Sequence, residues 1–307
     1  MRRKHTIGLA LGSGSARGWS HIGIIRTLER AGIAPDIICG TSIGSLVGAA
    51  YADGQLEGLE SWVKSLTWKN VLGLLDFRLS GGLLQGHKIR TFLHRYFDDK
   101  DIKDLPKTFG AVATELITGR EVWLRKGSIV EAVRASIALP ALFTPAQIDG
   151  RLLVDGALVN PIPVSLCRAM GADIVIGVDL NWDLMGWHME AEEDEPESKT
   201  RGALATILDK LPGLGRLKSG SEEPSIEMPS ILDVINISLN IMQVRITRSR
   251  LAGEPADVLI RPRLSDFALM DYHRGAIAIA EGERAAEAAL PELRELIGSN
   301  VTQDLTP

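Results

Sequence analysis

The sequence predicts an α/β fold in three layers, with a central, mostly parallel sheet flanked by helices. Short apolar runs alternate with amphipathic runs of helical spacing through the first half of the chain, which is the pattern of strands and helices layered on one sheet. Glycine-rich turns follow the first two apolar runs at once. The 307 residues, 45% of them hydrophobic, suit one large domain, or two small ones at most, and such a chain needs neither disulfides nor a metal to fold.

The first half begins with a buried strand and continues as alternating strands and helices. The first predicted helix contains Ile22, Ile25 and Leu28 at helical spacing, and Gly32 ends it as a C-cap glycine would. The predicted elements up to residue 124 are a strand Ile7–Leu11, that helix, a strand at Ile37-Ile38, a helix Ile43–Tyr51, surface helices Leu56–Leu66 and Lys88–Tyr96 separated by a Gly81-Gly82 turn, and a hairpin of strands Phe109–Thr114 and Glu121–Leu124.

The second half is expected to complete the same fold after an insertion. Its predicted elements are a helix Ile129–Ile137, strands Leu152–Val154 and Ile174–Val178, a long helix Ile231–Leu251, a strand Val258–Ile260 and a terminal helix Tyr272–Ile297. We therefore divide the chain into a catalytic region 5–180, an insertion 181–230 and a C-terminal completion 231–307. The insertion is acidic and then rich in Gly, Ser and Pro, which predicts a mobile segment, either a solvated insertion or a substrate lid.

Composition excludes several classes of protein. The formal charge of −5 lacks the basic excess of a nucleic-acid binder. The 2 cysteines exclude a disulfide framework or a Cys-rich zinc site and are typical of a reducing cytosol. No apolar run is long enough to span a membrane, so we expect a cytoplasmic protein that can rest on a membrane surface. We expect no cofactor, and no catalytic metal because no His, Asp and Glu residues have ligand spacing.

The sequence Gly40-Thr41-Ser42-Ile43-Gly44 is a GxSxG motif between a predicted strand and a predicted helix. In that context the serine lies at the apex of a sharp turn, and the glycines let backbone segments approach closely. The helix that follows directs its N-terminus at the serine and stabilises negative charge there. This motif predicts a nucleophilic serine.

The loop Gly12–Gly18 after the first strand places several backbone N–H groups in a small space. Such a loop binds either a phosphate or the oxyanion of an acyl-transfer intermediate. A dinucleotide fingerprint fits less well, because Arg17 occupies the sixth position of GxGxxG and the second strand leads into GxSxG instead of a ribose-binding acid.

A third motif, Asp155-Gly156-Ala157, follows a short predicted strand. In this order, the glycine-rich loop, the GxSxG turn and the Asp-Gly pair resemble the patatin-like phospholipase family, in particular its bacterial members related to the catalytic domain of neuropathy target esterase. The resemblance covers Ile7 to Asp179 and includes the block Arg134–Pro140.

This resemblance implies a catalytic dyad without histidine. Ser42 would be the nucleophile, Asp155 its base, and the oxyanion would bind to the backbone amides of Gly14, Ser15 and Ala16. Ser13 and Ser15 depart from the family pattern, which usually has glycines there. Arg17 would either fix the loop or meet a phosphate head group. The remaining residues of the motifs have supporting roles: Gly12, Gly18, Gly40, Gly44 and Gly156.

The resulting hypothesis is a serine esterase that acts on lipid acyl esters, of phospholipase or lysophospholipase type. One alternative is a nucleotide- or phosphate-binding module that uses Gly12–Gly18, and another is a regulatory protein with an idle hydrolase site. Two apolar segments are interpreted either as membrane-contacting surfaces or as core, loop or oligomer contacts, namely Trp182 to Met189 and Ile231 to Leu251. The sequence makes no prediction of acyl length, head group or oligomeric state.

Overall fold

The computed structural model describes residues 5–74, 87–97, 99–140, 142–184 and 231–303. Its strands form one sheet in the order β5-β6-β3-β2-β1-β7-β8, and β4 pairs with β3. Four of the strand pairs are parallel, namely β1 with β2, β1 with β7, β2 with β3 and β7 with β8. The strands are β1 (Ile7–Leu11), β2 (Ile37–Thr41), β3 (Thr108–Glu115), β4 (Glu121–Leu124), β5 (Ala146–Ile148), β6 (Arg151–Asp155), β7 (Ile174–Val178) and β8 (Val258–Ile260).

Helices cover both faces of the sheet, which confirms the predicted α/β class. The helices in the described residues are α1 (Ser20–Arg30), α2 (Ile43–Ala52), α3 (Leu56–Ser65), α4 (Trp68–Leu74), α5 (His87–Tyr96), α6 (Ile129–Ser136), α7 (Val164–Ala169), α8 (Ile231–Gly253) and α9 (Gly275–Gln303). Short 3-10 turns lie at Ser15–Trp19, Ile102–Asp104, Gly156–Leu158 and Tyr272–Arg274. None of the described helices is both long and apolar enough to cross a bilayer.

The sheet divides the interior into two apolar layers. Leu9 and Leu11 of β1 point to the larger layer, which α1, α2, α6 and α9 cover. Ala10 and Cys39 point to the smaller layer and pack against α7. The three central strands β1, β2 and β7 are buried along their whole length, so they read in the sequence as continuous apolar runs.

The C-terminal elements complete this sheet. Strand β8 pairs in parallel with β7, and α9 packs against α1 through two glycines. A Cβ atom on Gly23 would lie 2.0 Å from the Ile279 carbonyl oxygen, and one on Gly282 would lie 2.0 Å from that of Ser20. The two helix backbones therefore touch. This contact fixes α9 against the N-terminal part of α1, close to the Gly12–Gly18 loop.

Strand β3 brings the ends of two other strands together. Thr41, the last residue of β2, pairs with Val112, and Asp155, the last residue of β6, pairs with the next residue, Ala113. Strand β4 pairs with residues 111–114 of β3 and so occupies one edge of β3 at both of these positions. Strands β2 and β6 must therefore lie on the other edge of β3. They run in opposite directions there, so their C-terminal ends meet head to head.

The prediction of individual elements is confirmed for the long ones and incomplete for the short ones. The sequence did not indicate α4, α7, β5 or the 3-10 turn at Ser15–Trp19. The Gly81-Gly82 turn and the acidic part of the predicted insertion lie outside the described residues.

Candidate active site

Ser42 lies at the apex of the turn between β2 and α2. Its backbone angles, φ 56° and ψ −127°, belong to a region that favours glycine, so the turn holds this serine in a strained conformation. The flanking glycines make that turn possible. A Cβ atom on Gly40 would lie 2.4 Å from the Gly44 carbonyl oxygen, and one on Gly44 would lie 2.2 Å from that of Leu11. The GxSxG spacing therefore follows from backbone contacts.

The Ser42 hydroxyl donates a hydrogen bond to Asp155, with 2.6 Å between Oγ and Oδ2. The other carboxyl oxygen, Oδ1, accepts the backbone N–H of Ala157 at 2.8 Å. Asp155 is 1% exposed, and this burial raises the pKa of its carboxyl group to about 7, although both hydrogen bonds oppose the shift. The carboxyl group therefore changes its charge near neutral pH, as a general base does.

Ser136, which the motif analysis did not single out as a site residue, fixes the backbone of the serine turn. Its Oγ accepts the Ser42 N–H at 2.9 Å and donates to the Val112 carbonyl at 2.6 Å. The N–H of Ser42 is thus engaged, so an oxyanion at this site must bind to other donors. Ser136 lies inside the block Arg134–Pro140 that carried part of the family resemblance, which was the signal for it.

The glycine-rich loop offers two backbone N–H groups with no hydrogen-bond acceptor among the described residues, those of Gly14 and Ser15. The Ala16 N–H makes a long bond of 3.4 Å to the Leu269 carbonyl. The Ser13 N–H donates to the Pro161 carbonyl at 2.9 Å, so this N–H is not available to an oxyanion. The three amides expected from the sequence thus include the two unpaired ones, and the loop borders the same pocket as Ser42.

Arg17 is 3% exposed and holds the loop from inside. Its Nε–H donates to the Gly14 carbonyl at 3.2 Å. Burial lowers the pKa of Arg17 to about 10, while the nearby charges of Asp183 and Asp179 oppose this shift, so the guanidinium stays charged at neutral pH. The other loop glycines permit close contacts: a Cβ on Gly12 would lie 2.4 Å from the Val178 carbonyl oxygen, one on Gly18 2.2 Å from the Ile43 side chain, and one on Gly156, beside Asp155, 2.3 Å from the Val112 carbonyl oxygen.

Ser42 opens onto a mostly apolar pocket of about 130 Å³. The polar lining is close to the loop, from Ser13, Arg17 and Gln243, and the rest is largely aliphatic and aromatic. The apolar lining comes from widely separated parts of the chain and includes Trp62, Leu93, Phe143, Leu239, Leu269 and Tyr272. Sequence analysis did not assign them, because nothing in their local spacing marks a shared wall.

No histidine forms a hydrogen bond with Ser42 or Asp155 in the part of the chain that the structure describes. His21, which is nearest in sequence to the loop, is buried and its Nε2 contacts the Gly12 carbonyl at 2.8 Å. Burial lowers the pKa of His21 to about 4, so it is neutral. Within the described ranges, no three His, Cys, Asp or Glu side chains come together as a metal site would require.

Parts of the two apolar segments with open interpretations belong to the described residues. The Trp182 indole N–H donates to the Pro262 carbonyl at 2.7 Å, which anchors that side chain to the protein. Met185, Trp187 and Met189 lie outside the described residues. Helix α8 lines the pocket with Leu239 and Gln243 on one side and exposes apolar side chains on another, among them Ile241 and Met242.

The chain is similar to known proteins in both sequence and fold. A family model described as Patatin-like phospholipase matches residues 9–168. An uncharacterized NTE family protein of Mycobacterium tuberculosis is 33% identical over 92% of this chain and 91% of its own length. Human patatin-like phospholipase domain-containing protein 6 is 32% identical over 87% of this chain and 19% of its own length. The crystal structure of VipD from Legionella pneumophila aligns with a TM-score of 0.54 at 14% identity, over 94% of this chain and 67% of VipD, and shows a shared fold. The chain belongs to the patatin-like phospholipase family.

Proposed function

We propose that this protein is a serine esterase that hydrolyses lipid acyl esters, of phospholipase or lysophospholipase type, with Ser42 as nucleophile and Asp155 as base. The observation that carries the proposal is the 2.6 Å hydrogen bond from Ser42 to a buried carboxyl group at the edge of an apolar pocket. Nucleophile and base are thus within the distance that proton transfer requires.

The proposed reaction runs through an acyl-serine. Asp155 removes the Ser42 proton as Oγ attacks the ester carbonyl, and the N–H groups of Gly14 and Ser15 bind the oxyanion, with Ala16 as a third donor. The tetrahedral intermediate then breaks its bond to the alcohol, which leaves with the proton from Asp155. Water then attacks the acyl-serine: Asp155 takes a proton from the water as its oxygen adds to the acyl carbon, and this proton passes to Ser42 Oγ when the bond between Oγ and the acyl carbon breaks, which releases the fatty acid and restores Ser42 and ionised Asp155.

The character of the pocket supports a lipid substrate over a nucleotide. Its walls beyond the loop are aliphatic and aromatic, which suits an acyl chain, and the unpaired amides border the same space as the Ser42 hydroxyl. A phosphate-binding module would have no use for a serine held in a strained turn against a carboxylate. The same strain argues against an idle site, because it lowers stability without another benefit.

Two assays test the proposal. The purified full chain should hydrolyse medium-chain p-nitrophenyl esters, and a fluorophosphonate probe should form one covalent adduct that peptide mass spectrometry assigns to the peptide with Ser42. Prior treatment with the probe should remove the esterase activity in proportion to labelling. Absence of both hydrolysis and labelling, with tight binding of a nucleotide by calorimetry, would reverse the order of the hypotheses.

The activity should depend on pH through Asp155. The base must be ionised to accept a proton, and burial raises its pKa to about 7, so kcat/KM should increase with pH and level off above a midpoint near 7. Below that midpoint the rate should fall about tenfold for each pH unit. A midpoint near 4, the ordinary value for an exposed aspartate, would contradict this assignment.

A further inference from the structure

The segment Leu269–Tyr272 is bound to the glycine-rich loop by several hydrogen bonds. Ser15 Oγ donates to the Leu269 carbonyl at 2.7 Å and lies 2.7 Å from the Tyr272 hydroxyl. The Ala16 N–H contacts the same Leu269 carbonyl at 3.4 Å, and the Trp19 indole N–H donates to the Tyr272 carbonyl at 3.1 Å. This segment lies about 250 residues further along the chain and outside the range 9–168 that the family model matches.

The direction of the hydrogen bonds in this cluster is determined by its chemistry. A carbonyl oxygen only accepts, so the single hydroxyl proton of Ser15 points to Leu269. The bond between Ser15 and Tyr272 must therefore use the Tyr272 proton. Burial, together with the charge of Asp155, raises the pKa of Tyr272, although its bond to Ser15 opposes this, so the phenol keeps its proton around neutral pH.

Ser15 needs such support because its backbone is strained. Its φ of +49° is in the left-handed region that glycine enters freely and serine does not. Ser15 also has one of the two unpaired N–H groups of the loop, and the other belongs to Gly14 beside it. Since φ is the rotation about the Ser15 N–Cα bond, a change of this angle would turn the Gly14–Ser15 peptide, and the Ser15 N–H with it, relative to the 3-10 turn that follows.

We propose that Tyr272 is a positioning residue for the oxyanion loop: its hydroxyl holds Ser15 in the left-handed conformation and so keeps the N–H groups of Gly14 and Ser15 directed at the reacting carbonyl. This inference rests on the proposed function. It assigns to Tyr272 and Leu269 the task that a glycine at position 15 performs by its conformational freedom alone.

The first test is Tyr272→Phe in the full-length chain. We expect kcat for a p-nitrophenyl ester to fall about tenfold, less than the loss of a whole oxyanion donor, with KM changed by less than about twofold. Tyr51→Phe is the matched control, since Tyr51 also donates its hydroxyl proton, to Glu29 at 2.7 Å, but lies outside the site. An unchanged kcat in Tyr272→Phe, or an equal loss in Tyr51→Phe, would overturn the proposal.

The second test is rescue by glycine. Ser15→Gly adopts a positive φ without help, so adding Tyr272→Phe to Ser15→Gly should change kcat by less than about twofold. Ser15→Ala has no hydroxyl and no such freedom, and it loses the bonds to both Leu269 and Tyr272, so its kcat should fall at least as far as that of Tyr272→Phe. Adding Tyr272→Phe to Ser15→Ala should then cause no further loss. If Tyr272→Phe lowers kcat equally with and without Ser15→Gly, Tyr272 acts in another way.

A third measurement does not depend on activity. Amide hydrogen exchange in peptides that cover residues 12–19 should become faster in Tyr272→Phe and remain as in wild type in Tyr51→Phe. If wild type hydrolyses no ester but exchange responds in this way, the proposed function fails while the structural contact stands. If wild type is an active esterase and exchange does not respond, the positioning role fails alone.

Discussion

Replacing Asp155 by Asn should abolish ester hydrolysis and, at alkaline pH, make the protein more stable. The amide has nearly the shape of the carboxyl group: Oδ1 can accept the Ala157 N–H, and Nδ2 can donate to Ser42 Oγ. It cannot accept the Ser42 proton, so we expect kcat/KM to fall on the order of 10⁴-fold, as for a lost member of a serine hydrolase triad.

The gain in stability follows from the raised pKa of Asp155. The folded state holds the carboxyl proton up to about pH 7, whereas the unfolded chain releases it near pH 4. Stability from this group is therefore complete below about pH 4 and is lost as pH rises to about 7. At pH 8 the Asn variant avoids that loss, which amounts to roughly 4 kcal/mol at most, and at pH 4 the two proteins should be similar.

Urea unfolding at pH 4 and pH 8 measures this difference directly. Asp53→Asn is the contrasting control, because Asp53 is buried but pairs with Lys100 at 2.8 Å. Asp53→Asn removes this ion pair, so it should lower the free energy of unfolding and leave esterase activity intact. A residual activity in Asp155→Asn within tenfold of wild type would contradict the dyad, and equal stability changes at both pH values would contradict the pKa assignment.

Removing the Ser42 hydroxyl should have an equally large effect on activity, with a stability that depends on the replacement. Ser42→Ala and Ser42→Gly should both lose hydrolysis and fluorophosphonate labelling to background. Only glycine relieves the strain at φ 56° and ψ −127°, so Ser42→Gly should be about 1 kcal/mol more stable than Ser42→Ala.

The order of stability of the alanine and glycine variants should reverse at Ser61. This exposed residue lies in the middle of α3, and its hydroxyl donates to the Glu57 carbonyl. There, Ser61→Ala should be more stable than Ser61→Gly by about 0.5 to 1 kcal/mol, because glycine weakens a helix interior. Both Ser61 variants should retain full activity. If alanine is also the better residue at position 42, the turn is not strained.

Much of this fold could be predicted because its long elements have clear patterns. The central strands are largely apolar runs, α1 and α6 have apolar faces of helical period, and α2 is small and apolar throughout. The missed elements are short: β5 has 3 residues, α7 has 6 and α4 has 7, too few to show a period. The helix expected directly after the glycine-rich loop begins only after a 3-10 turn.

The candidate site was predictable where it depends on local backbone geometry. GxSxG and Asp-Gly mark turns whose glycines cannot carry a Cβ atom, and that requirement is visible in the sequence. The contacts between distant segments were not visible. Tyr272 reaches Ser15 across 257 positions, and Ser136 reaches the Ser42 amide across 94, with no local pattern that connects them.

The head-to-head meeting of β2 and β6 on β3 bears on how the protein is made. Ser42 leaves the ribosome 113 residues before Asp155, so in the proposed mechanism a growing polypeptide has its nucleophile long before it has its base. Translation products that end before Asp155 should therefore lack the activity that we propose for the full chain.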